Sequence, residues 1–125
     1  MIFDTDVLIW FMRGNEKAIE AVVNEIPFSI SAVTYMELIK GVRNKQELTQ
    51  IKKSFKKMGV QVIPINESVS NIAISFVEKY TLGHSVELAD ALIAGTCIEN
   101  DEVLFTANDK HYKAITGLKL QVFRP

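Results

Sequence analysis

The stretch Met1-Ile2-Phe3-Asp4-Thr5-Asp6-Val7-Leu8-Ile9 contains a whole strand-to-helix junction. An apolar triplet too short for a helix meets two aspartates, and an apolar run follows at once. This reads as a buried strand ending in acids, with Asp6 placed to cap the helix that continues to Met12. The unit recurs along the chain. Phe28 to Ala32 is β-prone and runs into Thr34-Tyr35-Met36-Glu37-Leu38-Ile39-Lys40-Gly41, where Thr34 and Glu37 have the spacing of a capping box. Val60 to Ile65, Glu102 to Thr106 and Leu118 to Phe123 are further strand candidates. Helical periodicity fills the gaps. Ile19, Val22, Val23 and Ile26 mark a helix from Glu16 to Glu25, and Leu48, Ile51 and Phe55 mark one over residues 45–58. A third, capped by Asn66 or Ser68, runs to Tyr80; Gly83-His84-Ser85 is a turn; a fourth, strongly apolar helix spans Val86 to Ile98. Short apolar strands alternating with helices predict a parallel sheet covered on both faces: a three-layer α/β/α sandwich, one domain over residues 1–125.

Composition narrows the chemistry. With 48% hydrophobic and 23% charged residues the chain is an ordinary globular domain, and a net charge of −1 excludes a polycation that coats nucleic acid indiscriminately. A single cysteine, Cys97, cannot form an internal disulfide, and no leader-like segment is read, so a reducing cytoplasm is the expected compartment. No apolar run is long enough to suggest a membrane helix. One cysteine and two histidines, His84 and His111, leave too few ligands for a zinc site. Metal chemistry here must use oxygen donors.

The acids fall where such donors would be useful. Ligand sites in open parallel sheets gather beyond the carboxyl ends of the strands. Asp4 and Asp6 follow the first strand, Glu37 lies in the helix after the second, and Asp109 stands just past the strand ending at Thr106. Asp90 sits in an otherwise apolar helix. Each has a plain explanation in isolation: Asp90 at a helix N-terminus, Glu37 in a capping box, Asp6 as a cap. Asp4, at a strand end, has none. If the acids meet, they cannot all ionise without a cation, and Mg²⁺ or Mn²⁺ suits an all-oxygen shell. Such a site performs phosphodiester hydrolysis with a metal-activated water. No Gly-x-Ser-x-Gly elbow or phosphate-binding P-loop is present.

Four blocks taken together resemble the PIN-domain family, and within it the VapC-type toxins of toxin–antitoxin pairs. They are Asp4-Thr5-Asp6-Val7-Leu8-Ile9, Thr34 to Gly41, Asp90-Ala91-Leu92-Ile93-Ala94, and Thr106-Ala107-Asn108-Asp109-Lys110-His111-Tyr112, in family order across nearly the whole chain. The resemblance implies a Mg²⁺- or Mn²⁺-dependent endoribonuclease in which Asp4, Glu37 and Asp90 hold metal. Asp109 or Asn108 would take the fourth position, and Thr5, Asp6 and Thr106 would support it. It also implies a homodimer restrained by a cognate antitoxin whose C-terminal segment covers the cleft. Trp10, Phe11 and Met12 would suit that contact, or core packing of the first helix. The helix carrying Asp90 departs from the family pattern at Gly95, where a close packing contact is expected.

Other readings keep part of this pattern: a PIN-like RNA-processing nuclease outside a toxin pair, a non-catalytic PIN-like binding module, or a signalling receiver. The receiver fits poorly, because the mid-chain strand ends in Asn66-Glu67 and offers no aspartate as phosphoacceptor. His84 and His111 read as solvated loop residues. Arg43, Lys45, Lys52, Lys53, Lys56 and Lys57, against Glu47 alone, form a basic stretch that could steer phosphates toward the cleft.

Overall fold

The computed structural model describes residues 1–84 and 86–125, so the expected turn at Gly83-His84-Ser85 lies partly outside the described residues. Five short strands, β1 (Ile2–Phe3), β2 (Ser29–Ser31), β3 (Gln61–Ile63), β4 (Leu104–Thr106) and β5 (Leu120–Val122), form one sheet in the order β3-β2-β1-β4-β5. Every pairing is parallel. Six helices connect them: α1 (Thr5–Met12), α2 (Glu16–Asn24), α3 (Ala32–Lys40), α4 (Lys45–Met58), α5 (Glu67–Tyr80) and α6 (Leu88–Glu99). This is the expected three-layer sandwich. The strands are shorter than the β-prone runs because their flanks have other hydrogen-bond duties. The Val60 N–H closes the end of α4 on Phe55 O, and the Glu102 N–H bonds Cys97 O at the end of α6.

Successive strand residues face opposite layers. Ile2 and Leu104 join the core beneath α5 and α6, while Phe3 and Phe105 join the core of α1, α2 and α4. Phe3 is fully buried, stacked on Phe28 at 4.4 Å between ring centres and edge-on to Phe105 at 5.2 Å. Such aromatic pairs contribute about 0.5–1.5 kcal/mol each beyond their buried area. They fix a strand of only two residues, and with it the position of Asp4. On the other face Gly95 explains itself. A Cβ there would stand 3.0 Å from the Val69 carbonyl oxygen, so the glycine lets α6 lie close against α5.

The order of strands decides where a ligand can bind. From β1 the chain steps to β2 on one side, while β4 flanks β1 on the other, so the carboxyl ends of β1 and β4 enclose a topological switch point. A receiver has the order 2-1-3-4-5 and is excluded. The basic stretch also changes meaning. α4 ends at Met58, and after left-handed Gly59 the chain enters β3 at its amino end. The last turn of α4, with Lys56 and Lys57, therefore lies at the end of the sheet opposite Asp4. Only the start of α4 is on the side of the acids, and there Arg43 is paired to Glu47 at 2.9 Å. No helix among the described residues is long and apolar enough to cross a membrane.

Candidate active site

Asp4 leaves β1 and immediately caps α1. Its Oδ1 accepts the Thr5 N–H at 2.8 Å, and its Oδ2 accepts the Thr106 hydroxyl at 2.8 Å from the end of β4. The cap expected at Asp6 therefore belongs to Asp4. Asp6 sits in the first turn instead, accepting the Val7 N–H through Oδ1 at 2.7 Å and the Ala107 N–H through Oδ2 at 3.0 Å. The two aspartates thus tie the loop after β1 to the loop after β4. The Thr106 hydroxyl in turn accepts the Asn108 N–H at 2.9 Å.

Glu37 is freed from the role its spacing suggested. α3 starts at Ala32, capped by Ser31, whose hydroxyl accepts the Val33 N–H at 3.1 Å. Thr34 consequently lies inside the helix and fully buried, and there is no capping box. The Glu37 carboxylate reaches toward the strand ends, where its Oε1 accepts the Thr5 hydroxyl at 2.7 Å. Thr5 Oγ1 also lies 3.1 Å from Thr34 Oγ1.

Asp90 occupies the first turn of α6, as its sequence position suggested. Its Oδ1 accepts the hydroxyl of Tyr112 at 3.2 Å. Its Oδ2 is buried and has no hydrogen-bond partner. His111 Nδ1 stands 3.2 Å from that oxygen, without hydrogen-bond geometry. His111 is thus not simply a solvated loop residue. Each of three carboxylates is held by a hydroxyl: Asp4 by Thr106, Glu37 by Thr5 and Asp90 by Tyr112.

Asp109 is in a different situation. It is buried at the start of the 3₁₀ turn Asp109–His111, and its carboxylate meets Arg124 at 2.8 Å and Lys113 at 3.4 Å. Arg124 also donates to the Ala107 carbonyl at 2.9 Å. Neighbouring Asn108 is exposed at the rim.

The electrostatics separate these acids. Burial, and next the charge of Asp6, push the Asp4 carboxyl up to about 7, against the opposing bonds from Thr106 and Thr5. Burial also raises Asp6 and Asp90, the latter with contributions from Glu87 and Glu37 and against the contact with His111. Asp109 goes the other way, held below the usual carboxylate range by Arg124. Burial and the facing carboxylates of Asp4 and Asp90 push the Tyr112 hydroxyl far above its ordinary range, so it stays protonated and a donor. Cys97 is buried in the core with its thiol raised to about 12, and it has no reactive character.

The donor set suits a hard divalent cation. It is all oxygen, it is partly desolvated, and Asp90 Oδ2 is buried with no hydrogen-bond partner in the chain. Among the described residues no three carboxylate, histidine or cysteine side chains already converge as a closed metal cage. Asp4, Glu37 and Asp90, each tied to a hydroxyl, stand as separate arms. The sequence reading missed Tyr112 as a partner of two acids and Arg124 as the partner of Asp109. The only available signal was an aromatic in an otherwise polar block.

Acids gathered at the carboxyl ends of β1 and β4, in a five-stranded parallel sheet wrapped by six helices, define a class of α/β domain with an acidic, oxygen-donor cleft. The chain belongs to the PIN domain family, whose profile matches residues 1–118. It is 30% identical over 128 residues to Ribonuclease VapC1 of Methanocaldococcus jannaschii, an alignment covering 98% of this chain and 86% of that protein. The structure of VapBC-1 from nontypeable Haemophilus influenzae is similar with a TM-score of 0.81 and 28% identity over 98% of both chains. The DNA-bound VapBC of Salmonella typhimurium shares the fold with a TM-score of 0.84 at 21% identity, over 97% of this chain and 96% of that one.

Proposed function

We propose that the chain is a Mg²⁺- or Mn²⁺-dependent endoribonuclease acting as the toxin of a toxin–antitoxin pair. The observation that carries this reading is that Asp4, Glu37 and Asp90, from three separate elements, face one switch point, where burial raises the carboxyls of Asp4 and Asp90. The similarity to a protein named Ribonuclease VapC1 and to VapBC structures supports it.

Asp4, Glu37 and Asp90 would hold the cation. Asn108 is the better candidate for the fourth position, because the Asp109 carboxylate is already taken up by Arg124 and Lys113. When bound, the cation supplies Lewis acidity toward a phosphoryl oxygen and lowers the pKa of a water. Thr106 and Thr5 orient the carboxylates through the bonds they donate, and the two-loop stitch through Asp6 keeps the strand ends in register. His111, half-exposed beside Asp90, is positioned to meet a phosphate at the rim.

The partner surface adjoins the site at Glu37. A groove of about 830 Å³ lined by Ile9, Met12, Leu38, Ile51 and Phe55 extends to Glu37. It offers an apolar floor for a segment of the antitoxin. Phe11 divides its surface between the core and this groove, and Met12 is exposed. The toxin is expected as a homodimer in the cytoplasm.

The test uses the full chain freed of any partner, with RNA in Mg²⁺ or Mn²⁺, in EDTA, and as Asp90→Asn. Cleavage should require the metal and fall at least about 100-fold in the variant, since even outer-shell changes at metal sites cost 10–100-fold. Cleavage that persists in EDTA and in Asp90→Asn overturns the reading.

A further inference from the structure

Tyr112 stands out among the residues that the proposed reaction does not use. It is a large side chain with no exposed surface, and its ring belongs to the core shared by Ile2, Ala91, Ala94 and Leu104. A phenylalanine would fill that place without burying a polar group. Instead the hydroxyl emerges from the core directly beneath the acids. It donates to Asp90 Oδ1 at 3.2 Å. Tyr112 closes the 3₁₀ turn that follows β4, its N–H bonded to Asp109 O at 3.0 Å. One side chain therefore ties the turn after β4 to the first turn of α6.

The two oxygens of Asp90 differ for this reason. Oδ1 has a hydrogen-bond donor from the chain; Oδ2, buried, has none, and the His111 ring stands 3.2 Å from it without hydrogen-bond geometry. A carboxylate fixed through one oxygen cannot rotate freely, so the second oxygen keeps one direction. We propose that Tyr112 is a positioning residue of the metal site: its hydroxyl fixes Asp90 through Oδ1 and leaves Oδ2 as the donor for the cation. Groups of this kind, bonded to a ligand rather than to the metal, govern affinity by orienting it. The proposal rests on the metal reading given above and assigns it a residue on this chain.

Tyr112→Phe keeps the ring and deletes only the hydroxyl. Mn²⁺ binding to the full chain is followed by loss of the free-ion electron paramagnetic resonance signal, for wild type, Tyr112→Phe and Asp90→Asn. Melting of each metal-free protein is recorded alongside. The expected result is a Mn²⁺ affinity weakened about 10–100-fold in Tyr112→Phe, with a metal-free midpoint within about 8 °C of wild type. An unchanged affinity in Tyr112→Phe, while Asp90→Asn loses binding, overturns the role of Tyr112 and leaves the metal site standing. If wild type and Asp90→Asn bind Mn²⁺ alike, the metal reading itself fails, and Tyr112 with it. A Tyr112→Phe protein that melts far lower, or does not fold, also overturns the proposal, because the hydroxyl is then a stability device.

Discussion

Asp4 and Asp109 are both buried aspartates at the same end of the same sheet, and they are electrostatic opposites. Asp109 is matched by Arg124 and Lys113, and its carboxyl is held low. Asp4 has only neutral donors, with Asp6 as a charged neighbour, and is pushed up to about 7. A fold that supplies its own cation to one acid and withholds it from another, a few residues from the same strand ends, has the asymmetry that the proposed metal site requires. Unpaired buried charge is otherwise too costly to keep.

The sharpest way to break this contrast is through pH. Asp4 has a folded value above its ordinary 3.8, so the folded state binds the extra proton. The contribution of Asp4 to the stability of the metal-free protein should therefore be full below about pH 4 and be lost as pH rises toward about 7. The full penalty at neutral pH is roughly 4 kcal/mol. Asp4→Asn should recover roughly half of it, giving a metal-free protein about 2 kcal/mol more stable at pH 7 and inactive on RNA. Asp109 has the reverse sign: its contribution is present above the ordinary carboxylate value and is lost as pH falls through its depressed one. Denaturant melts between pH 3 and 8 check both. A wild-type protein that gains stability steadily up to pH 7 contradicts the account of Asp4.

A smaller effect probes the acid side without touching an acid. Gly95→Ala would press a methyl group against the Val69 carbonyl at 3.0 Å and shift α6, which carries Asp90. Overpacking of this kind destabilises by about 1–3 kcal/mol, and Mn²⁺ affinity should fall with it while the Asp109–Arg124 pair stays formed. Calorimetry for the melt and titration for the metal separate the two consequences.

Much of this was legible from residues alone. The helix over residues 45–58 has the boundaries its periodicity predicts, and the alternation of strands and helices gives the sandwich. The caps were legible only in part: Asn66 caps α5 as expected, while the caps of α1 and α3 lie elsewhere than expected. β2 passes into α3 with no loop, so Ser31 and Thr34 offer equivalent hydroxyls and only the backbone decides that Ser31 caps. That choice also turns Glu37 from a capping partner into an arm of the site. Asp4 and Asp6 present the same ambiguity one residue apart. Long-range partners were beyond reach for another reason. Tyr112 meets Asp90, Thr106 meets Asp4 and Arg124 meets Asp109 only because the sheet brings distant segments together. The basic stretch misled for a topological reason: a helix that returns to the start of a strand carries its last residues away from the cleft.

The contrast is tested most directly by calorimetric titration of Mn²⁺ into wild type, Asp4→Asn and Asp109→Asn at pH 7, with each confirmed folded by its melt. The account predicts that Asp4→Asn loses binding by at least about 100-fold while Asp109→Asn, though less stable, stays within a few-fold of wild type. Loss of binding in Asp109→Asn with retention in Asp4→Asn would contradict it.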